Sequence, residues 1–302
     1  MRLHHCFLTG CLALLIGCSP KNTVTASKLP VFVSIMPQKY FVEKIGGDLV
    51  DVSVLVPPGS SPHTYEPRPA QMMQLAHAKI FFAAGVEFEQ AWLPRIRQGN
   101  PQLTIVYADS GITKMPMPGL SELQKDSSES SSPGEERGGE DETGLDPHTW
   151  LSPQLVKEMA PMIARTLIRF DPADSGYFTQ GRNAFIDTIG ALQKELHAIL
   201  DTAHRKTFMV FHPAWGYFAR EFGLREIPVE IQGKEPSARE LTFIIDIAKR
   251  NNIRTIFIQP QFSPQTAETI ARQIGARTVV ANPEAEDWAN SLREFAREMS
   301  AN

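Results

Sequence analysis

Residues 207–218 read TFMVFHPAWGYF, and the pattern changes abruptly halfway through. Four consecutive apolar residues at 208–211 have the length and composition that predict a buried strand. The strand stops at His212-Pro213, because proline cannot donate a ladder hydrogen bond and restricts the residue before it. Open α/β sheets bind ligands at the carboxyl ends of their strands. The stretch therefore predicts an α/β fold with His212 as a candidate binding residue.

Strand and helix patterns alternate on both sides of this stretch. The other predicted strands cover residues 31–35, 50–56, 80–84, 103–107, 227–231, 255–258 and 278–280. The predicted helices between and after them cover residues 40–45, 69–78, 88–97, 152–170, 215–221, 237–250, 264–274 and 288–299. Such alternation is typical of parallel sheets with crossover helices.

A long helical pattern occupies the middle of the chain, at about 175–204. Its apolar residues step by four and three and form one stripe: Phe185, Ile189, Leu192, Leu196 and Ile199. About thirty residues at 1.5 Å each give a rod of roughly 45 Å. We therefore predict two α/β lobes with parallel sheets, at 30–172 and 205–302, joined by one long rigid linking helix within 173–204.

The N-terminus has the pattern of a targeting segment. A basic start and an apolar core at 7–17, too short to span a bilayer, predict a signal peptide at 1–18. Residues 15–19, LIGCS, resemble the lipobox of bacterial lipoproteins, with Cys18 as the lipidated residue. The alternative is ordinary secretory cleavage beside an incidental cysteine. Polar residues 19–29 then form a tether, and the protein is expected outside the cytoplasm, periplasmic or at the cell surface, on a membrane through its lipid anchor.

Composition narrows the remaining choices. The 302 residues are 42% hydrophobic and 21% charged with a net charge of −4, which favours a globular protein and argues against a nucleic-acid surface. The three cysteines all lie in the predicted signal region: Cys6, Cys11 and Cys18. Disulfides and thiolate ligands are therefore excluded from the folded body, and any metal there must be held by nitrogen and oxygen.

Residues 119–146 interrupt the alternation. They carry nine acidic residues against two basic ones, a net charge of −7, together with a serine run and Gly138-Gly139. Such a segment cannot bury a core and predicts a mobile acidic insertion. It is either a solvated insertion or a loop that raises the local cation concentration.

Three histidines stand beside prolines in loops or at a strand end: His63 in Ser-Pro-His, His148 in Asp-Pro-His and His212 in His-Pro. Prolines fix the backbone around them, and preorganised imidazoles suit zinc. The separations of 85 residues (148 minus 63) and 64 residues (212 minus 148) are too wide for a zinc finger. We interpret the three as candidate ligands of one metal ion drawn from distant parts of the fold.

Five motifs in this order carry a family resemblance. They are GGDLVDVSVLVPPGSSPHTYEPRP at 46–69, VEFEQAWL at 86–93, LDPHTWLSP at 145–153, FHPAWGYFAREFGL at 211–224 and GKEPSARELTFIIDIAKRNNIRTIFIQPQFSP at 233–264. The chain resembles, over about residues 30–300, the zinc-binding lipoproteins of bacterial ABC importers. These belong to a metal-specific cluster of solute-binding proteins that also includes manganese and iron binders. The resemblance implies two pseudo-symmetric α/β lobes joined by one rigid helix, with the metal between the lobes.

The resemblance also implies ligands. His63, His148 and His212 fall on three ligand positions of the family. Related manganese and iron binders have a glutamate where His212 stands, so three imidazoles favour zinc. We expect Glu66, Glu89 or Glu230 to accept the other N–H group of a ligating histidine.

The fourth family position departs from the pattern. It is an aspartate in a strand-end Asp-Pro, and this chain has Asn282-Pro283 there. Asn282 is a candidate ligand through its carbonyl oxygen, and the alternatives are Glu66, Glu230, a water, or one of the nearby acids Glu284, Glu286 and Asp287.

The function that the resemblance implies is high-affinity capture of zinc and its delivery to an ABC permease and its ATPase by a monomeric protein without catalytic activity. Three alternatives stay open: a manganese or iron homologue, a zinc hydrolase with three histidines, and a surface adhesin lipoprotein. Neither an HExxH motif nor a nucleophile elbow occurs in the sequence to favour the hydrolase.

Overall fold

The computed structural model describes residues 28–118, 144–231 and 233–301. The predicted signal peptide with its predicted lipidation site Cys18, residues 19–27 of the predicted tether and residues 119–143 of the predicted insertion lie outside these ranges. Within them, no helix has both the length and the apolar character needed to cross a membrane.

The first half of the chain forms a parallel sheet of four strands. The strands are β1 (Leu29–Val33), β2 (Val50–Val54), β3 (Ile80–Ala83) and β4 (Thr104–Tyr107). They lie in the order β2-β1-β3-β4. The helices that connect them are α1 (Met36–Gly46), α2 (Pro69–Leu75) and α3 (Glu87–Gly99). All four residues of β3 are buried, as expected for a central strand of a parallel sheet covered on both faces.

Two helices then lead to the second half of the chain: α4 (Pro153–Phe170) and α5 (Ser175–Leu200). The Ser152 hydroxyl begins α4 by accepting the N–H of Leu155 at 3.2 Å. The long α5 ends at Leu200, four residues before the predicted end. It packs against α1, against α4 and against the final helix of the chain, Trp288–Ser300, and so contacts both halves of the molecule.

The second half repeats the first. Its strands are β5 (Thr207–Val210), β6 (Arg225–Pro228), β7 (Thr255–Ile258) and β8 (Arg277–Val280), and its helices are α6 (Gly216–Glu221), α7 (Ala238–Arg250), α8 (Gln265–Ile274) and α9 (Trp288–Ser300). The strands are parallel in the order β6-β5-β7-β8, the same arrangement as in the first sheet. The predicted fold of two α/β lobes with parallel sheets is confirmed. The domain boundaries at 172/173 and 204/205 stay predictions.

The hydrophobic core explains how the lobes are held together. One cluster of buried residues runs from β1 and α1 through α4 and α5 into α6 and α9. A smaller cluster fills the space between the second sheet, α7 and α8. Because the larger cluster is continuous between the lobes, the carboxyl ends of both sheets keep a defined position relative to each other.

Candidate metal centre

The three histidines predicted to meet do meet. His212 lies two residues after β5, His63 lies in the loop between β2 and α2, and His148 directly precedes a 3₁₀ turn at Thr149–Leu151. The ring centroids of His63 and His212 are 4.6 Å apart, those of His148 and His212 are 5.3 Å apart, and those of His63 and His148 are 5.7 Å apart. One ring nitrogen from each lies within 4.8 Å of the other two.

Each imidazole faces a carboxylate through Nδ1. The pairs are His63 with Glu87 at 2.5 Å, His148 with Asp146 at 2.7 Å and His212 with Glu230 at 2.7 Å. A carboxylate that accepts the Nδ1–H bond fixes the tautomer and leaves Nε2 as a lone-pair donor. The three rings are therefore oriented to offer Nε2 to a common point.

His212 is buried, with 6% of the residue exposed. Its Nε2 is buried and has no hydrogen-bond partner among the described residues. Burial lowers the pKa of His212 to about 4, and the nearby rings of His148 and His63 add to this effect against the opposing contact with Glu230. His212 is thus neutral at physiological pH, which is the form that binds a metal.

His148 is presented by a tight turn. Asp146 Oδ1 accepts the backbone N–H of His148 at 2.9 Å in addition to facing its ring. Both residues are 1% exposed. The Tyr217 hydroxyl, from α6, donates to the carbonyl oxygen of Asp146 at 2.8 Å. The second lobe therefore fixes the turn that carries His148.

His63 lies at the open side of the site, with 21% of its side chain exposed. Burial alone would lower its pKa, but the hydrogen bond and charge of Glu87 outweigh burial and raise the pKa of His63 above its ordinary value. Burial likewise works to raise the pKa of Glu87, but the contact with His63 lowers it to about 2. The pair is a charge-assisted contact at Nδ1, and a cation that binds Nε2 of His63 competes with a proton there.

The space between the rings matches a single ion. A cavity of about 10 Å³ is lined by all three histidines together with Gln259, Glu284 and other residues. A second cavity of about 480 Å³, lined by His63, His212, Glu87 and Glu230, lies on the side of the exposed Leu145. The small cavity has the size of one water-sized body, and the large one provides a path towards it.

Asn282 is not brought to the histidines. Its side-chain oxygen accepts the N–H of Glu284 at 3.0 Å, and it lines a separate cavity against α9. The turn that Asn282 caps instead places Glu284 in the histidine cavity. Burial raises the pKa of Glu284 to about 7 against the opposing charge of His63. Its carboxylate is not among the atoms that lie within 4.8 Å of one another.

Of the three glutamates predicted to support the histidines, Glu230 does so. Glu89 is wrongly predicted: it accepts hydrogen bonds from the Ser34 hydroxyl and from the N–H groups of Ala84 and Gly85, so its lone pairs are taken up inside the first lobe. Glu66 is exposed, and the carboxylates that face the other two rings are Glu87 and Asp146.

Neither of these carboxylates was predicted from the sequence to face a histidine. Asp146 had a local signal, because an aspartate two residues before a histidine can close a turn onto it. Glu87 had none that points to His63, since 24 residues separate them.

The chain is similar to known proteins that take up or bind zinc. The family model described as zinc-uptake complex component A, periplasmic (ZnuA), matches residues 31–302. The high-affinity zinc uptake system protein ZnuA of Bacillus subtilis is 29% identical over 91% of this chain and 86% of its own length. The zinc-binding lipoprotein AdcA of Streptococcus pneumoniae is 27% identical over 90% of this chain, which spans only 53% of AdcA.

A crystal structure of a zinc-bound ZnuA deletion mutant superposes with a TM-score of 0.80 at 40% identity, covering 91% of this chain and 97% of that one. The match to the family model includes both sheets, the linking helix and all three histidines. The chain belongs to the ZnuA family of periplasmic zinc-uptake components.

Proposed function

We propose that this protein captures Zn²⁺ outside the cytoplasm through His63, His148 and His212 and delivers it to the permease and ATPase of an ABC importer. The observation that carries the proposal is the convergence of three ring nitrogens within 4.8 Å while each Nδ1 faces a carboxylate. The family membership and the zinc named for its relatives support the same conclusion.

Zinc fits this donor set better than manganese or iron. Three neutral imidazoles are borderline ligands that suit zinc, whereas manganese prefers more carboxylate and carbonyl oxygen. Tetrahedral Zn–N bonds of about 2.0–2.1 Å need nitrogens about 3.3–3.4 Å apart. Starting from separations of at most 4.8 Å, the rings would close by about 1.5 Å or less on the ion.

For the fourth position, Glu284 is supported better than Asn282. Glu284 lines the cavity of the three histidines, whereas the Asn282 side-chain oxygen is occupied by a backbone N–H. Zn²⁺ would favour the ionised form of Glu284 and bind one of its oxygens, with a water as the alternative ligand.

The setting follows from the same assignment. We propose that the protein is periplasmic or at the cell surface, held on a membrane by a lipid on Cys18 after cleavage between Gly17 and Cys18, and that it acts as a monomer. Mass spectrometry of the membrane-bound protein tests the anchor: acyl groups on Cys18 support it, and a free N-terminus at another residue contradicts it.

Metal analysis of protein purified without chelator tests the function. We expect one zinc ion per chain, displacement of bound manganese by zinc, and a large loss of zinc affinity in His212→Ala. The matched control is His197→Ala, because His197 lies half exposed on α5, away from the site. Equal affinity in both variants, or a preference for manganese, would contradict the proposal.

A non-enzymatic role belongs to this proposal. Three histidines with a water are also the ligand set of carbonic anhydrase, where zinc lowers the pKa of the water to about 7. Here, however, three carboxylates at the site are paired with the rings, and Glu284 is the proposed fourth zinc ligand. Carbonic anhydrase and esterase assays of the zinc-loaded protein should give no activity above zinc in buffer, and turnover that disappears in His212→Ala would favour the hydrolase alternative.

A further inference from the structure

The end of β5 is held in an unusual way. Its ladder with β7 pairs Val210 with Phe257, and the N–H of Phe211 still donates to the carbonyl of Phe257 at 2.8 Å. One step further, Pro213 has no N–H group with which to continue the ladder. His212 would therefore leave the sheet without main-chain support from β7.

The side chain of Gln259 replaces the missing ladder. Gln259 Nε2 donates to the carbonyl oxygen of His212 at 2.6 Å, and the N–H of His212 donates to Gln259 Oε1 at 3.1 Å. The two residues are 47 positions apart, the same offset as the register pairs Met209↔Ile256 and Val210↔Phe257. An amide side chain thus continues the strand pairing in register.

The turn after Gln259 completes the support. The carbonyl of Gln259 accepts the N–H of Phe262 at 3.1 Å, and the Phe262 ring stacks on the His212 ring with centroids 5.4 Å apart at 19°. Together with Glu230 at Nδ1, these contacts fix the backbone, one face and one nitrogen of His212. Gln259 is 2% exposed and His212 is 6% exposed, so water cannot readily replace the amide.

We propose that Gln259 is a positioning residue of the metal site, which builds the His212 half of the site before the ion arrives. This inference rests on the proposed function. Residues that orient a metal ligand change the metal affinity by about 10–100-fold. A preorganised ligand loses less conformational freedom on binding, and the resulting gain in affinity appears mostly as slower dissociation of the ion.

The test compares Gln259→Leu with Asn100→Leu. The control is matched because the Asn100 amide is also buried and also hydrogen-bonds to the backbone, donating to the carbonyls of Leu75 and Ala78 in the first lobe. Both variants should lose thermal stability. Only Gln259→Leu should raise the zinc dissociation constant, by about 10–100-fold, with a faster transfer of Zn²⁺ to a fluorescent chelator.

A spectroscopic readout separates positioning from general loosening. With Co²⁺ in place of Zn²⁺, the visible absorption of Gln259→Leu should shift, whereas that of Asn100→Leu should match the parent. If Gln259→Leu does not fold, Gln259→Asn, which is one methylene shorter and cannot span both bonds, should show a smaller change in the same direction.

The outcomes distinguish this inference from the proposed function. A parent protein that does not bind Zn²⁺ overturns the proposed function. A parent that binds Zn²⁺ with an unchanged dissociation constant and cobalt spectrum in the Gln259 variant overturns the positioning role alone, as does an equal change in the Asn100 control.

Discussion

The two lobes have the same strand order but treat the carboxyl ends of their central strands in opposite ways. In the first lobe the carboxylate of Glu89 fills this edge and accepts hydrogen bonds from Ser34, Ala84 and Gly85. In the second lobe the corresponding edge carries His212, held by Gln259 and Glu230 with Nε2 left without a partner among the described residues. One edge is sealed by its own side chains, and the other is open for a ligand.

The first lobe must therefore supply its ligands from loops. His63 comes from the connection after β2 and is partly exposed, whereas His212 follows a buried strand directly and is nearly inaccessible. A ligand on a rigid strand end is positioned more accurately than one on a loop. The second lobe therefore provides the preformed half of the site, with His212, and the loop that carries His63 provides the adjustable half.

The largest expected effect comes from removing the preformed ligand. Since loss of an outer partner costs about 10–100-fold in metal affinity, His212→Ala should raise the zinc dissociation constant by more than about 100-fold. His63→Ala should cost less, because a water can replace an exposed ligand. Competition with a chromophoric chelator measures both constants. A greater loss in His63→Ala than in His212→Ala would break the comparison.

The sealed edge should matter for stability instead. Glu89→Leu leaves three donors without their acceptor, two of them buried and that of Gly85 partly buried, and we expect the free energy of unfolding to fall by about 2–4 kcal/mol. The zinc dissociation constant should stay within a few-fold of the parent value. Urea unfolding of the metal-free protein and chelator competition give the two numbers. A loss of zinc affinity as large as that of His212→Ala would show that the edge of the first sheet that Glu89 fills takes part in zinc binding.

On acidification, zinc affinity should fall first through protonation of His63, in the adjustable half of the site. Zinc binds neutral imidazole, and Glu87 raises the pKa of His63, while burial lowers that of His212 to about 4. Because its pKa is raised, His63 takes up its proton at a higher pH than His212 as the solution is acidified. Each proton that zinc displaces should lower the affinity by up to about tenfold per pH unit, and Glu284, whose pKa burial raises to about 7, would add its proton to that of His63.

The variant His63→Ala sharpens this assignment. Its affinity is lower throughout, but its pH dependence between 7.5 and 5 should be shallower by about one proton per zinc ion. Isothermal titration at several pH values measures the slope. An unchanged slope in His63→Ala would assign the proton to another group.

The contrast between the lobes also explains what could be predicted from the sequence. The apolar run at 208–211 followed by His212-Pro213 is a local pattern, and it correctly predicted a strand with a histidine just after it. The strand and helix alternation likewise depends on local periodicity, so the fold class followed from it. Element ends differed by a few residues, as with α5, where the helix stops at Leu200 because a turn follows.

Contacts between distant residues left no such pattern. Glu87 and Gln259 each touch a histidine far away in the chain, and each would read in isolation as an ordinary polar residue beside a helix or strand. Asn282 was predicted as a ligand from its family position, but its short amide side chain caps the turn that follows it. These roles depend on how the two lobes bring distant residues together, and the chemistry of a single residue does not reveal that.

The prediction with the smallest expected effect on zinc binding concerns the pH dependence of stability, through an acid of the second lobe that lies at the seam between the lobes. Glu226, on β6, accepts the N–H of Trp215 at 2.9 Å. Burial raises the pKa of Glu226 to about 8, and the charge of Asp146 from the other lobe adds to this against the opposing hydrogen bond from Trp215. Asp146 is also the residue that holds His148, so the two acids link the seam to the site.

The sign follows from the proton balance. Between about pH 4.5 and 8 the folded protein keeps the Glu226 proton that the unfolded chain releases, so this group makes the free energy of unfolding fall as pH rises through that window. In Glu226→Gln the fall should disappear, and the variant should be more stable than the parent at pH 8 by up to about 4 kcal/mol but equal to it near pH 4.5. Thermal unfolding of the metal-free proteins across this range measures the difference. A parent and variant with parallel profiles would mean that Glu226 is ionised in the fold, and the seam would then carry two negative charges that the second lobe tolerates without cost.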